Sequence, residues 1–199
     1  MPEMIRDGKG RSFLAGVDYE NRLLVNSVSI PYIMHMSFKH GRAYTISSVQ
    51  QTLSAVDTWN YILFMKNIDP DRFIIVDIIR VSWNGGSTNY NRPLYVRGSM
   101  PVIPTGNQAE ITAQNINQVS TNEASGNFYR WDGVGSGMTP VGYASSSTTM
   151  YQQGNTDIDF KGSIIMGLND TIGYEVKSPE VGDCNISVYF YYINKNEEI

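Results

Sequence analysis

The chain has 199 residues and a formal net charge of -4, with 15 Lys and Arg against 19 Asp and Glu. It is sized for one β-domain with a full core and carries no basic excess to draw it to nucleic acid or an anionic membrane. A single cysteine, Cys184, excludes an internal disulfide and a cysteine-built metal cluster within one chain.

The N-terminal stretch Met1-Pro2-Glu3-Met4-Ile5-Arg6-Asp7 has no apolar run behind its charges, so no secretory signal is expected and the chain reads as made and used in the cytosol, or in an assembly built there. Asp7-Gly8-Lys9-Gly10, Ala15-Gly16-Val17-Asp18 and Asn21-Arg22-Leu23-Leu24-Val25 follow. Gly8 and Gly10 open backbone conformations closed to other residues, and residues 1–25 read as an arm laid on a neighbour's surface. Leu23, Leu24 and Val25 would anchor it to the body, residues 26–199.

Within the body, residues 61–66, 73–83 and 186–193 have strand length and are rich in β-branched and aromatic side chains. Residues 67–72 contain Pro70 among Asn and Asp and read as the turn between the first two. Residues 172–177 alternate, with Ile172, Tyr174 and Val176 on one face. Weaker strand patterns lie at 43–49, 92–97, 128–131 and 162–166. The total of about eight fits an all-β, jelly-roll-like two-sheet β-sandwich. Residues from about 98 to 160 are dominated by Gly, Ser, Thr, Asn and Gln and read as a loop-rich insertion. Inside it, Ile111, Ile116 and Val119 fit either a short helical face or a loop.

Two strands are apolar on both faces. Strict alternation places Phe73, Ile75, Ile79 and Val81 opposite Ile74, Val76 and Ile78. It also places Ile186, Val188, Phe190 and Tyr192 opposite Tyr189, Tyr191 and Ile193. Such faces need covering, by the long insertion folding back or by other copies of the chain. Under the second reading Ile74, Val76, Ile78, Tyr189 and Tyr191 are interface candidates in a homotrimer.

Sites of chemistry are sparse. His35 and His40 have no ligand set or orienting carboxylate beside them in sequence, and read as ordinary surface or packing histidines. The pairs Asp69/Asp71 and Asp157/Asp159 lack the rest of a calcium loop. No catalytic residue, metal site or cofactor is expected. Trp83-Asn84 with Tyr90, and Tyr129 with Trp131-Asp132, combine rings with amides and a carboxylate, as sugar-contacting loops do. Glycine-rich turns pinned to the sandwich by a Trp are the favoured account of them.

The pattern Asp7-Gly8, Gly10, Ala15, Val17-Asp18, Asn21-Arg22-Leu23 resembles the opening arm of small tailed-phage structural proteins. Residues 163–176 with 185–192 are similar to the closing strands of phage jelly-roll decoration proteins. The resemblance implies a non-enzymatic capsid decoration, or cement, protein on the virion surface, made in the host cytoplasm. Its partners would be the major capsid protein or another virion protein and its own copies in a trimer, with no nucleic acid, membrane or cofactor. Asp7, Gly8, Gly10, Asn21, Arg22 and Leu23 would form the docking arm. The insertion is longer than a minimal cement domain needs, which leaves a tail, neck or fibre component that recognises a host glycan as the alternative. A carbohydrate-active enzyme on the same fold is a third class, for which no acid/base pair is recognisable.

Overall fold

The computed structural model describes residues 4–6, 12–14, 16–17, 23–24, 32–53, 58–85, 94–99, 108–131, 146–150 and 154–196. The chain divides into two compact units, Met1–Pro31 and Tyr32–Ile199. In the first, β1 (Met4–Arg6) pairs antiparallel with β2 (Ser12–Leu14), and β3 (Gly16–Val17) with β4 (Leu23–Leu24).

The second unit opens with a helical turn, α1 (Tyr32–His35), running into a π-helical turn (Met36–His40). Strands then follow in the order β5 (Ala43–Ser47), β6 (Gln51–Leu53), β7 (Asn60–Asn67), β8 (Arg72–Gly85) and β9 (Leu94–Ser99). Next come β10 (Gln108–Glu110), β11 (Gln114–Asn115) and β12 (Gly126–Trp131). The chain closes with β13 (Ser146–Met150), β14 (Gly154–Met166), β15 (Thr171–Lys177) and β16 (Gly182–Asn194).

These strands build two six-stranded sheets. The first has the order β11-β5-β16-β8-β14, with β6 also paired to β16, and the second β10-β12-β7-β15-β9-β13. Eight strands carry the topology. The first of them, β5, pairs with the last, β16; β7 pairs with β15, β8 with β14, and β9 with β13. A long hairpin rolled so that its rungs alternate between two sheets is a jelly roll.

One continuous core lies between the sheets. Tyr44, Ile74, Val76, Ile79, Val81, Ile186, Val188, Phe190 and Tyr192 come from the first sheet, and Leu63, Met65, Val96, Phe128, Tyr174 and Val176 from the second. In β16 the alternation read from sequence holds: Ile186, Val188, Phe190 and Tyr192 all face this core. In β8 it does not. Val76 pairs with Phe190 and Ile78 with the adjacent Tyr189, so Asp77 is an extra residue, a β-bulge that reverses the alternation. Ile79 and Val81 therefore share the core face with Ile74 and Val76, not with Phe73 and Ile75.

The two-sided apolar strands are covered partly by the chain itself. On the outer side of the first sheet Ile75, Tyr191 and Ile193 are packed with Met36 and Ala43, and Ile33 and Phe73 lie against them. The cover described is thus the helical turn at residues 32–40, not the long insertion. The described part of that insertion is itself structured. β12 extends the second sheet beyond β7, and β11 extends the first beyond β5, so it borders the same edge of both sheets. Residues 109–119 form no helix; Ile111 and Ala113 pack on the core from an extended segment, while Val119 is 90% exposed.

Amides hold this edge together. Gly41, in the left-handed conformation (φ 58°), closes the π-helical turn and leaves carbonyls pointing outward. Asn115 Nδ2 donates to Gly41 O (2.7 Å), Asn122 Nδ2 to His40 O (2.9 Å) and Asn117 Nδ2 to Ser37 O (3.1 Å).

Candidate functional site

The outer face of the first sheet is apolar around Ile75, Tyr191 and Ile193 and polar toward its other end. The pairing register sets Thr52, Asp183 and Asn84 in one transverse row, Asn185, Ser82 and Asn155 in the next, and Ser47, Ser187, Arg80 and Asp157 in a third. At the end bearing the first two rows the surface sinks into a hollow of about 350 Å3 lined by Gln50, Ser82, Asn84, Gly154, Asn155, Asp183 and Asn185, together with Trp83 and Cys184, whose side chains are buried. In the third row Arg80 binds Asp157 through two hydrogen bonds of 2.7 and 2.8 Å and lies over the Tyr189 ring. The Arg80 guanidinium beside it holds the Asp157 carboxyl below its ordinary range, against a smaller contribution from burial.

A second concavity, about 420 Å3, is apolar. Ile33, Met34, Ile116 and Val119 line it together with Ser37, Asn117 and Gln118, and Met34 is 58% exposed. Exposed apolar surface gathered at one place is a feature of contact sites.

The sequence-derived candidates fall in several places. Asp7, Gly8, Gly10, Asn21 and Arg22 of the arm lie outside the described residues, and Leu23 begins β4. Tyr90 and Asp132 also lie outside them. Trp83 is buried in the intersheet core and so offers no ring face for stacking, while Asn84 beside it is exposed. Trp131 is buried on the other sheet with Tyr61 and Phe64, and Tyr129 packs against them half-buried. The two aromatic segments are thus parts of different sheets and form no common site.

Of the interface candidates, Ile74 and Val76 are instead core residues, fully buried between the sheets because the bulge at Asp77 and the alternation of β8 turn them inward, and they present nothing to another copy. Tyr191 is covered by the chain's own Met36 cluster. Ile78 and Tyr189 are half-buried on the outer face. The residues that sequence reading passed over are Asn155, Asp183 and Asn185, together with the Asn115, Asn117 and Asn122 clamp. For Asn155 the signal was available as alternation in 154–160, where Ile158 and Phe160 pack on the core and Asn155, Asp157 and Asp159 are exposed, and for Asp183 and Asn185 as their alternation with the core residues Cys184 and Ile186.

Titratable groups add little chemistry. Burial pushes the Cys184 thiol up to about 12, leaving it protonated at neutral pH. The rings of His35 and His40 meet edge to face at 5.7 Å. Among the described residues no three His, Cys, Asp or Glu side chains gather in a way that would hold a metal ion.

Asp77, the bulged residue of β8, is the exception with a measurable consequence. Burial, and then the charge of Asp159, raise its carboxyl above the ordinary value. A raised carboxyl contributes stability below the unfolded-state pKa and loses it as pH rises through the folded-state value. Asp77→Asn is therefore expected to be modestly more stable than the parent at neutral pH, the gain reduced by solvent screening of a half-buried group. The difference should vanish in acid, as thermal unfolding at several pH values would show. Equal gains at both ends of the pH range would rule this account out.

No protein-family profile matches the chain, and no curated protein matches it. The jelly roll, the polar hollow and the apolar groove are accordingly read from their own geometry.

Proposed function

We propose that this is a non-enzymatic virion structural protein, a capsid decoration protein of a tailed phage that docks on the major capsid protein through its N-terminal segment. The observation that carries the reading is the division of the chain. Residues 1–31 form a compact unit of their own, and its described strands are only two or three residues long. Isolated hairpins are marginal in water, and a unit of this size lies below the range in which a hydrophobic core suffices. A segment of this kind gains stability from a surface it packs on, and short strands are suited to extending a partner's sheet. The resemblance of Asp7-Gly8, Gly10 and Asn21-Arg22-Leu23 to phage arms supports the choice of partner, and a jelly roll is a common capsid architecture.

The homotrimer belongs to this proposal on altered grounds, because two of its five interface candidates are core residues and a third is covered within the chain. Its support is the exposed groove of Ile33, Met34, Ile116 and Val119. Light scattering that gives a monomer at micromolar concentration would remove it.

The decisive experiment deletes residues 1–31 and adds the product to purified particles that lack the protein. Circular dichroism and melting of residues 32–199 should stay close to those of the full chain, while binding falls at least tenfold. Full occupancy by the truncated chain would sink the docking role, and so would failure of residues 32–199 to fold.

A further inference from the structure

We propose that the amide-lined hollow on the outer face of the first sheet binds a neutral sugar. The inference is independent of the capsid reading and moves sugar recognition away from the two aromatic segments, whose tryptophans are buried. Its basis is a set of hydrogen-bonding groups held in fixed orientation around one concavity.

Ser82 Oγ donates to Asn155 Oδ1 at 2.6 Å, and Ser47 Oγ donates to Asn185 Oδ1 at 3.0 Å. With each oxygen engaged by a hydroxyl, each amide keeps its NH2 group for a ligand, and neither NH2 has a partner among the described residues. Asn84 is exposed on the next row. Asp183 is fixed from two sides, by Gln50 Nε2 and Thr52 Oγ1, both at 2.7 Å. Its carboxylate retains lone pairs beyond those two bonds. The hollow therefore presents oriented N–H donors around a carboxylate acceptor.

Ligand classes can be sorted on that chemistry. A sugar hydroxyl both donates and accepts, so it can bridge an amide N–H and a carboxylate oxygen. An anion would meet Asp183 with no free cation beside it among the described residues, since Arg80 is already paired in two hydrogen bonds with Asp157. A metal ion would find one carboxylate, already doubly bonded. An apolar ligand would strand the amides. The volume of about 350 Å3 lies within the usual range for small-ligand sites. With no exposed ring among the described lining residues to stack on, affinity rests on hydrogen bonds and is expected to be weak, with a Kd of about 1 mM.

The test uses the full-length protein and the methyl glycosides of glucose, galactose, mannose and N-acetylglucosamine, with N-acetylneuraminic acid as the anionic comparison. Saturation-transfer NMR is expected to detect at least one neutral glycoside. Amide-proton shifts on the unmodified protein should move at Gln50, Asn84, Asn155 and Asn185. The double variant N84A/N155A, whose side chains are exposed, should weaken the response at least tenfold. No transfer from any neutral glycoside, a response to the anionic sugar alone, shifts elsewhere on the protein, or an unchanged response in the variant would each overturn the proposal. Particle binding is read separately, so this site and the arm can fail independently.

Discussion

Replacing Phe190 with alanine is expected to destabilise the protein by about 3–5 kcal/mol, the range for truncating a buried aromatic to alanine. Phe190 lies near the middle of β16 and is fully buried. Its ring stacks on Tyr44 at 5.7 Å in its own sheet and meets Phe128 at 5.5 Å from the opposite one. Tyr192 packs edge-on at 5.9 Å. Removing the ring thus opens a void where the two sheets join, and three neighbouring aromatics are too large to shift into it without leaving their rotamers. Phe190→Leu keeps most of the volume and should cost under about 1.5 kcal/mol. Urea denaturation of both variants measures the difference. A loss below about 1 kcal/mol for alanine would show that the sheets close over the gap.

Asn67→Leu is expected to cost about 3 kcal/mol despite conserving volume, because several groups lose partners together. Asn67 is fully buried at the end of β7. Its Nδ2 donates to Arg72 O (3.0 Å) in the turn toward β8 and to Met166 O (2.9 Å) at the end of β14. Its Oδ1 accepts from the Asp69 N–H (2.9 Å). The main chain adds bonds to Asp170 and from Asn169 in the turn between β14 and β15. One side chain therefore joins two turns that each carry the chain from one sheet to the other. Burial of a polar group without a partner costs about 1–3 kcal/mol, and the three losses are not independent. Equilibrium unfolding tests this, and a cost near zero would mean that water replaces the amide.

The same turn carries the pH response expected on the acid side. Burial pushes the Asp69 carboxyl up, but hydrogen bonds from Arg72 and from the Asp71 N–H, with the charge of Arg72, together hold it below its ordinary value. Stability from a lowered carboxyl is present above the unfolded-state pKa and is lost as pH falls through the folded-state one. Asp69 and Asp77 thus pull in opposite directions as the solution is acidified.

The two-sheet, all-β character was legible in sequence because alternation and β-branched composition are local. Residues 186–193 showed which side chains face the core, and Pro70 with its Asn and Asp neighbours marked the turn after β7. What local pattern cannot show is which strand lies beside which. Ser47 meets Ser187 across 140 positions, and the polar hollow exists only because β8 pairs with both β14 and β16, which sets Asn155, Ser82 and Asn185 in one row. The bulge at Asp77 was equally hidden, since an extra residue is defined by the partner strand that lacks it. It reversed the faces read for Ile79 and Val81. Composition suggested loops for residues 98–160, whereas pairing with strand edges left open by β5, β7, β8 and β9 made strands of polar sequence there. Sequence alone therefore determined the kind of layer this chain builds. Tertiary pairing decided which residues were left to face outward, because burial of a side chain depends on neighbours that the chain brings from far along its length.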